Sequence, residues 1–319
     1  MTNRQYDVIT FGDMCVDLIV TGDDVVPCFG QVEKLVDDYA LEMGGSCCIF
    51  ACQAAKLGLR VGILGRVGDD DFGRLIRRRL DECGVDTQHV IVDPGLKTGL
   101  GIALCRDDDR AILTYMGSIC ALRPADVSEA FLASARHLHH GSFFLHIQLR
   151  PRIPAILRRA RALGLTISLD TNWDPDERWN STLREALPLA DLVMPNEQEA
   201  RHISGCGEQD EAVAWLHACG VPIVALKLGA RGASVHTMRE THACTVPPAT
   251  GGDSVGAGDS FDAGFLAGWL RELPLDQCLQ IACQCGRSVA SAVGGLLGQP
   301  RWEDVSTLVG NHHPKEDSR

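Results

Sequence analysis

The stretch IPAILRRARALGLTISLD, Ile153–Asp170, is helical in pattern up to Gly164 and then turns into a short apolar strand. Read outward from it, the same alternation continues. HLHHGSF, from His137, reads as the preceding strand, and TLREALPLA as the following helix. DLVMPN is then a strand, DEAVAWLHACG a helix capped by Gly220, and VPIVALKLG another strand. Short apolar strands joined through helices imply a parallel sheet covered on both faces. The expectation is a single domain over residues 1–319, a three-layer α/β/α sandwich with a mostly parallel central sheet. In such sheets ligands bind at the carboxyl ends of the strands.

Two segments break the alternation, about 13–43 and 96–116. In the second, TGLGIALCR and AILTYMG flank the polar run Asp107-Asp108-Asp109, a hairpin pattern. Both are too short for a core of their own, so together they are expected to form a small β-sheet lid over the main domain. The polar end of the chain from Asn311 is expected to fray.

Bulk properties narrow the function. The 319 residues are 45% hydrophobic and 23% charged, the mix of a globular enzyme. A formal charge of −12 lacks the cationic footprint that nucleic acid requires. No run reaches the roughly 18 apolar residues of a membrane span, and Asp7 and Asp13 interrupt the apolar start, so no signal peptide is expected. The 14 cysteines are scattered without zinc-ribbon spacing, and are read as small buried hydrophobes in a reducing cytoplasm.

The chemistry is concentrated in GGDSVGAGDSFDAGFLAGWL, Gly251–Leu270. Phe261, Phe265 and Trp269 recur every four residues, so a helix with one apolar face runs here. Gly256, Ala257 and Gly258 stand at its start, where small residues let a phosphate approach unpaired backbone N–H groups at the positive end of the helix dipole. Asp259 lies in the first turn beside that anion hole. A carboxylate there can take the proton from a hydroxyl as a phosphoryl group arrives. The same position also suits an acid that only complements the helix N-terminus.

Asp253-Ser-Val-Gly-Ala-Gly-Asp259 resembles the D-T-x-G-A-G-D signature of the ribokinase-like (PfkB) carbohydrate kinases. The resemblance runs in order along the chain. Gly44–Gly73 resembles the family's N-terminal signature, Asn196-Glu-Gln-Glu199 its N-x-x-E motif, and Lys227-Leu-Gly229-Ala-Arg-Gly232 its nucleotide loop. Gly12 followed by Asp17 resembles its first-strand substrate aspartate. The resemblance implies transfer of the ATP γ-phosphoryl group to a hydroxymethyl group of a sugar. Asp259 would be the base, and the amides of Gly256, Ala257 and Gly258 the anion hole. Asn196 and Glu199 would hold water-coordinated Mg²⁺ and the ATP phosphates; Lys227, Gly229 and Gly232 would line the nucleotide. Asp17, Gly44 and Gly45 would hold the sugar, and Asp253 a monovalent cation, K⁺ where one is used. Helix capping is the other reading of Asn196 and Glu199, and Ser46 also suits a helix cap.

Two positions depart from the family. Ile49 stands where a sugar-binding Asn is common, and Asp174 replaces the Arg of the D-x-N-x-R run in LDTNWDPDERW. The first leaves room for a nucleoside acceptor; the second argues against a sugar acid. His137, His139, His140 and His146 lack the partners of a recognised metal set, and Arg77-Arg78-Arg79 reads as a solvated helix face. A catalytically silent sugar or nucleotide sensor on the same fold is the remaining alternative. Exposed edges of the lid sheet suggest a homodimer.

Overall fold

The computed structural model describes residues 4–106, 109–179, 182–252 and 254–308. The strands in chain order are β1 (Tyr6–Gly12), β2 (Cys15–Thr21), β3 (Asp38–Gly44), β4 (Val61–Gly68), β5 (Asp86–Asp93), β6 (Gly99–Arg106) and β7 (Asp109–Tyr115). They continue as β8 (Ala135–His140), β9 (Thr166–Leu169), β10 (Leu192–Val193), β11 (Ile223–Lys227), β12 (Ala233–His236) and β13 (Thr241–Cys244). Nine form one sheet in the order β13-β12-β11-β10-β9-β8-β1-β4-β5. From β5 to β11 every pairing is parallel, and β12 and β13 add antiparallel strands at one edge.

Both faces of this sheet are covered, as continuous apolar strands require. Neighbouring residues on a strand point to opposite sides. Val8, Ile63, Leu192 and Ala225 enter one core, with the helices Ser46–Lys56, Ala257–Trp269 and Leu275–Ala290. Ile9, Leu64, Val193 and Val224 enter the other, with the helices Ile153–Ala162, Glu197–Ser204 and Gln209–Ala218. The three-layer reading is therefore met. The helix expected to stop at Gly164 ends at Ala162, with Gly164 left-handed at φ 78°. The strand read over DLVMPN shortens to Leu192–Val193, because Pro195 has no N–H for the ladder and Asn196 caps the next helix.

A separate four-stranded sheet has the order β3-β2-β6-β7. Its strands pair as a hairpin of β2 and β3, a parallel β2–β6 contact, and a hairpin of β6 and β7. Asp107 and Asp108 of the expected turn lie outside the described residues.

β1 lies between β4 and β8, so the chain departs from it to one side and later returns to the other. This is the switch point at which open α/β sheets bind ligands. The helix Ala257–Trp269 is seated against Leu275–Ala290 almost backbone to backbone. A Cβ on Gly264 would lie 2.9 Å from the Ala282 Cα, and one on Gly268 3.1 Å from the Cys278 Cα. Phe261 and Phe265 bury the apolar face read from the sequence.

Candidate active site

The helix carrying Asp259 begins at Gly256, which is left-handed at φ 71°. That conformation, and the 2.8 Å separating a hypothetical Cβ from the Gly295 Cα, restrict the position to glycine. Ile49 is the wall behind it. Only 2% of its surface is exposed, and its side chain fills the space beside Gly256 and Gly295. The backbone N–H of Ala257 donates weakly to the Ser254 carbonyl at 3.4 Å.

Asp259 is partly exposed in the first turn. Burial of the carboxyl, followed by the negative charges of Asp170 and Asp13, pushes its pKa up to about 7; Lys227 and the Ser46 hydroxyl pull the other way. That places the group where a general base works near neutral pH. Ser46 is in turn held by Asn172, whose Nδ2 donates to the Ser46 Oγ at 2.6 Å and to the Ser142 Oγ at 2.9 Å. Asn172 and Ser142 both have left-handed backbones, at φ 54° and 52°, a strain that the surrounding structure holds in place.

The cap of the helix Ser46–Lys56 comes from Asp13, not from Ser46. Its carboxylate accepts from Ser46 N at 2.8 Å, Cys47 N at 3.3 Å and the Ser142 Oγ at 3.3 Å. His146 Nε2 is 3.7 Å from Asp13 Oδ1. Burial would raise this carboxyl, but His146, Cys47 and Ser46 outweigh it and lower its pKa to about 2. Ligand atoms of Asp13, Cys47 and His146 lie within 4.8 Å of one another, a grouping that sequence spacing hid. His137 and His139 of the same sequence cluster are internal: His137 bonds Thr166 and Ser168, His139 bonds Ser168, and burial lowers the pKa of both.

Asn196 and Glu199 form a reciprocal capping box. Asn196 Oδ1 accepts from Glu199 N at 2.8 Å; the Glu199 carboxylate accepts from Asn196 N at 2.9 Å and Asn196 Nδ2 at 2.7 Å. Glu199 is 4% exposed, and its burial together with the charge of Asp170 raises its pKa to about 7. The N-x-x-E spacing therefore does cap the helix that follows β10.

Lys227 ends β11, where its Nζ donates to Asp170 Oδ2 at 2.9 Å and to Asp262 Oδ1 at 3.3 Å. Burial would lower its pKa, but Asp170, Asp262 and Glu199 reverse the sign and hold it charged. Gly232 is left-handed, and a Cβ there would lie 2.0 Å from the Cys244 carbonyl oxygen, so β13 fixes this glycine. Gly229, also left-handed at φ 59°, opens the preceding turn.

On the smaller sheet, Asp17 lies opposite Glu42 on β3 and Gly101 on β6. A Cβ on Gly44 would lie 2.1 Å from its carboxylate, and one on Gly101 2.5 Å. Gly44 is thus needed first to make room for Asp17. Gly45, at φ 90°, makes room for the Asp13 carbonyl, which a Cβ would approach to 2.7 Å. Arg79, read as solvated, reaches across to Glu42 at 3.2 Å. Asp174 is buried and organises its own loop, accepting from the backbone N–H groups of Asp176, Arg178 and Trp179. Asp253 lies outside the described residues. Asp13, Gly101 and Asp262 are the residues that sequence reasoning passed over, and Asp170 and Asn172 enter it only as the Asp and Asn of the D-x-N-x-R run, with no role given. For Asp262 the available signal was its spacing, one helical turn after Asp259.

A helix that opens on a left-handed glycine and carries a first-turn carboxylate of raised pKa is the arrangement of a phosphotransferase class. The pfkB family carbohydrate kinase model matches residues 5–301, and the chain belongs to that family. It is 33% identical over 253 residues to an ATP-dependent ribose-1-phosphate kinase of Halopiger xanaduensis, covering 79% of this chain and 81% of that one. It is 27% identical to a 5-dehydro-2-deoxygluconokinase of Geobacillus kaustophilus, covering 97% and 95%. An E. coli protein described as a candidate ribokinase II, solved with ATP and Mg²⁺, superposes with a TM-score of 0.83 at 26% identity, covering 96% of this chain and 99% of that one. The protein is an ATP-dependent carbohydrate kinase. Among the described residues, no helix is long and apolar enough to cross a membrane.

Proposed function

We propose that this kinase phosphorylates the hydroxymethyl group of a neutral sugar held between the smaller sheet and the end of β1. Asp259 is the base in this reading. The observation that carries it is a first-turn carboxylate with a pKa of about 7 at the start of a helix opening on glycine. The sugar hydroxyl gives its proton to Asp259 as its oxygen bonds the γ-phosphorus. ADP departs with the electrons of the broken bond, and the amides of Gly256, Ala257 and Gly258 stabilise charge on the group in flight.

Asp17 holds vicinal hydroxyls of the sugar as a two-oxygen acceptor. The Asp17 carboxylate disfavours an anionic acceptor at that edge, the facing Glu42 being paired with Arg79. Gly229 and Gly232 accommodate the nucleotide. Asp170, Glu199, Asp259 and Asp262 surround the single ammonium of Lys227, so the site is short of positive charge. That deficit fits a divalent cation. Asn196 and Glu199 would hold Mg²⁺ through water; when bound, the ion neutralises charge on the nucleotide phosphates. Asp253 would serve a K⁺ site.

The smaller sheet acts as a lid formed by segments of a single domain, excluding water as a competing acceptor. Leu18, Leu41, Ile102 and Leu113 stand in one row across its four strands, and Leu113 is 59% exposed. That row supports a homodimer through the lid, which light scattering on the purified chain would test. The setting is taken as cytoplasmic, where 14 free thiols persist.

A coupled ADP-release screen tests the acceptor. Its panel holds ribose, fructose, ribose 1-phosphate, a keto-deoxy sugar acid and adenosine. A neutral sugar is expected to give the highest kcat/KM. Preference for adenosine would make this a nucleoside kinase, and preference for ribose 1-phosphate or the sugar acid would refute neutrality. No ADP with any acceptor would refute a sugar hydroxymethyl group as the acceptor.

A further inference from the structure

Lys227, Asp170 and Asp262 come from three different elements. Lys227 ends β11, Asp170 follows β9, and Asp262 lies one turn after Asp259 on the helix Ala257–Trp269. Both carboxylates are buried, Asp170 at 3% exposure and Asp262 at 0%. The lysine Nζ contacts Asp170 Oδ2 at 2.9 Å and Asp262 Oδ1 at 3.3 Å, while Asp262 Oδ2 has no hydrogen-bond partner. A Cβ on Gly258 would lie 3.5 Å from the same Nζ, so the ammonium sits directly under the anion hole.

An acid that faces the core of its own helix is expensive unless paired. Lys227 is the partner, and the pair pins the base-bearing helix to the sheet edge. Two of the three ammonium protons are committed to carboxylates. We propose that Asp262 is a positioning residue for phosphoryl transfer. With Asp170 it clamps Lys227 as a fixed internal counter-charge beneath Gly258 and Asp259, and the lysine is not a phosphate ligand. Asp262 thereby sets where Asp259 stands relative to the acceptor. The inference rests on Asp259 being the base.

The test compares K227M, D262N, K227R and the K227M/D262N double variant. Mg-ATP affinity is measured by calorimetry, melting temperature by scanning, and kcat and KM with the best acceptor of the panel. A clamp predicts that K227M and D262N each lower kcat, on the order of 10²-fold for a misplaced catalytic group. Mg-ATP affinity and the KM for ATP stay unchanged, and K227R recovers part of kcat. The double variant melts above K227M, because D262N removes one of the two buried carboxylates that K227M leaves without their cation. Recovery of a folded double where K227M alone does not fold supports the clamp equally. A rise of about 10-fold or more in the Mg-ATP Kd of K227M, the loss of a charge-assisted phosphate contact, would overturn it. So would additive losses of melting temperature, or an unchanged kcat in D262N. The calorimetric and thermal arms need no sugar. Absence of turnover in the wild type would sink the kinase reading alone, whereas those arms judge the clamp.

Discussion

Asp13 and Asp259 are both carboxylates beside a helix N-terminus at the end of the same sheet, yet they are driven in opposite directions. Asp13 receives two backbone N–H groups and a hydroxyl and lies beside His146, and its pKa falls to about 2. Asp259 is dominated by burial and the charge of Asp170, and its pKa rises to about 7. Donors aimed at a carboxylate make it a good structural cap and a poor base. A shortage of donors does the reverse. The contrast separates a group that holds the helix Ser46–Lys56 in place from one able to take a proton.

The comparison breaks most visibly in turnover. Asp259→Asn is expected to lower kcat by about 10²–10⁴-fold, the range for loss of a general base, with Mg-ATP affinity retained. Near-normal turnover would show that this carboxylate only complements the helix dipole. Asp13→Ala should act instead through the fold, destabilising it by about 0.5–2 kcal/mol as a lost N-cap, seen as a lower denaturation midpoint.

The pH dependence sharpens the contrast. The base works ionised, so kcat/KM should rise with pH and level off above about 7. Asp170→Asn removes a repulsive charge, and the rising limb should move to lower pH; a limb that moves up would contradict the assigned cause. For stability the signs differ. The folded pKa of Asp13 is depressed, so its contribution is present above 3.8 and is lost as pH falls through about 2. The folded pKa of Asp259 is raised, so its ionisation costs stability increasingly between 3.8 and about 7. In the smallest of these effects, Asp259→Asn should therefore melt slightly above wild type at pH 8. Asp13→Asn should melt below it.

Much of this fold was legible because alternation is a local property. Strand and helix patterns from His137 to Gly229 needed only neighbouring residues, and the helix carrying Asp259 announced itself by Phe261 and Phe265. What sequence could not show depends on contacts made across the fold. Ser46 looked like a cap until Asp13, 33 residues earlier, was found occupying that role. Lys227 reads in sequence as a strand-end lysine, and its contact with Asp170, 57 positions away, is not visible there. Gly44 reads as a backbone opening, and that the nearest atom it must spare belongs to Asp17 is again a contact made across the fold. Ile49 read as a lost hydrogen bond, and its burial against Gly256 and Gly295 was invisible without the third dimension.

The contact of Gly264 and Gly268 with the backbone of Leu275–Ala290 has a mechanical consequence. Two helices interlocked without side-chain cushioning have almost no room to slide or roll. In the closure proposed above, the shape change then falls to the smaller sheet, whose strand β2 bears Asp17. The helix pair would be the anvil against which that sheet closes.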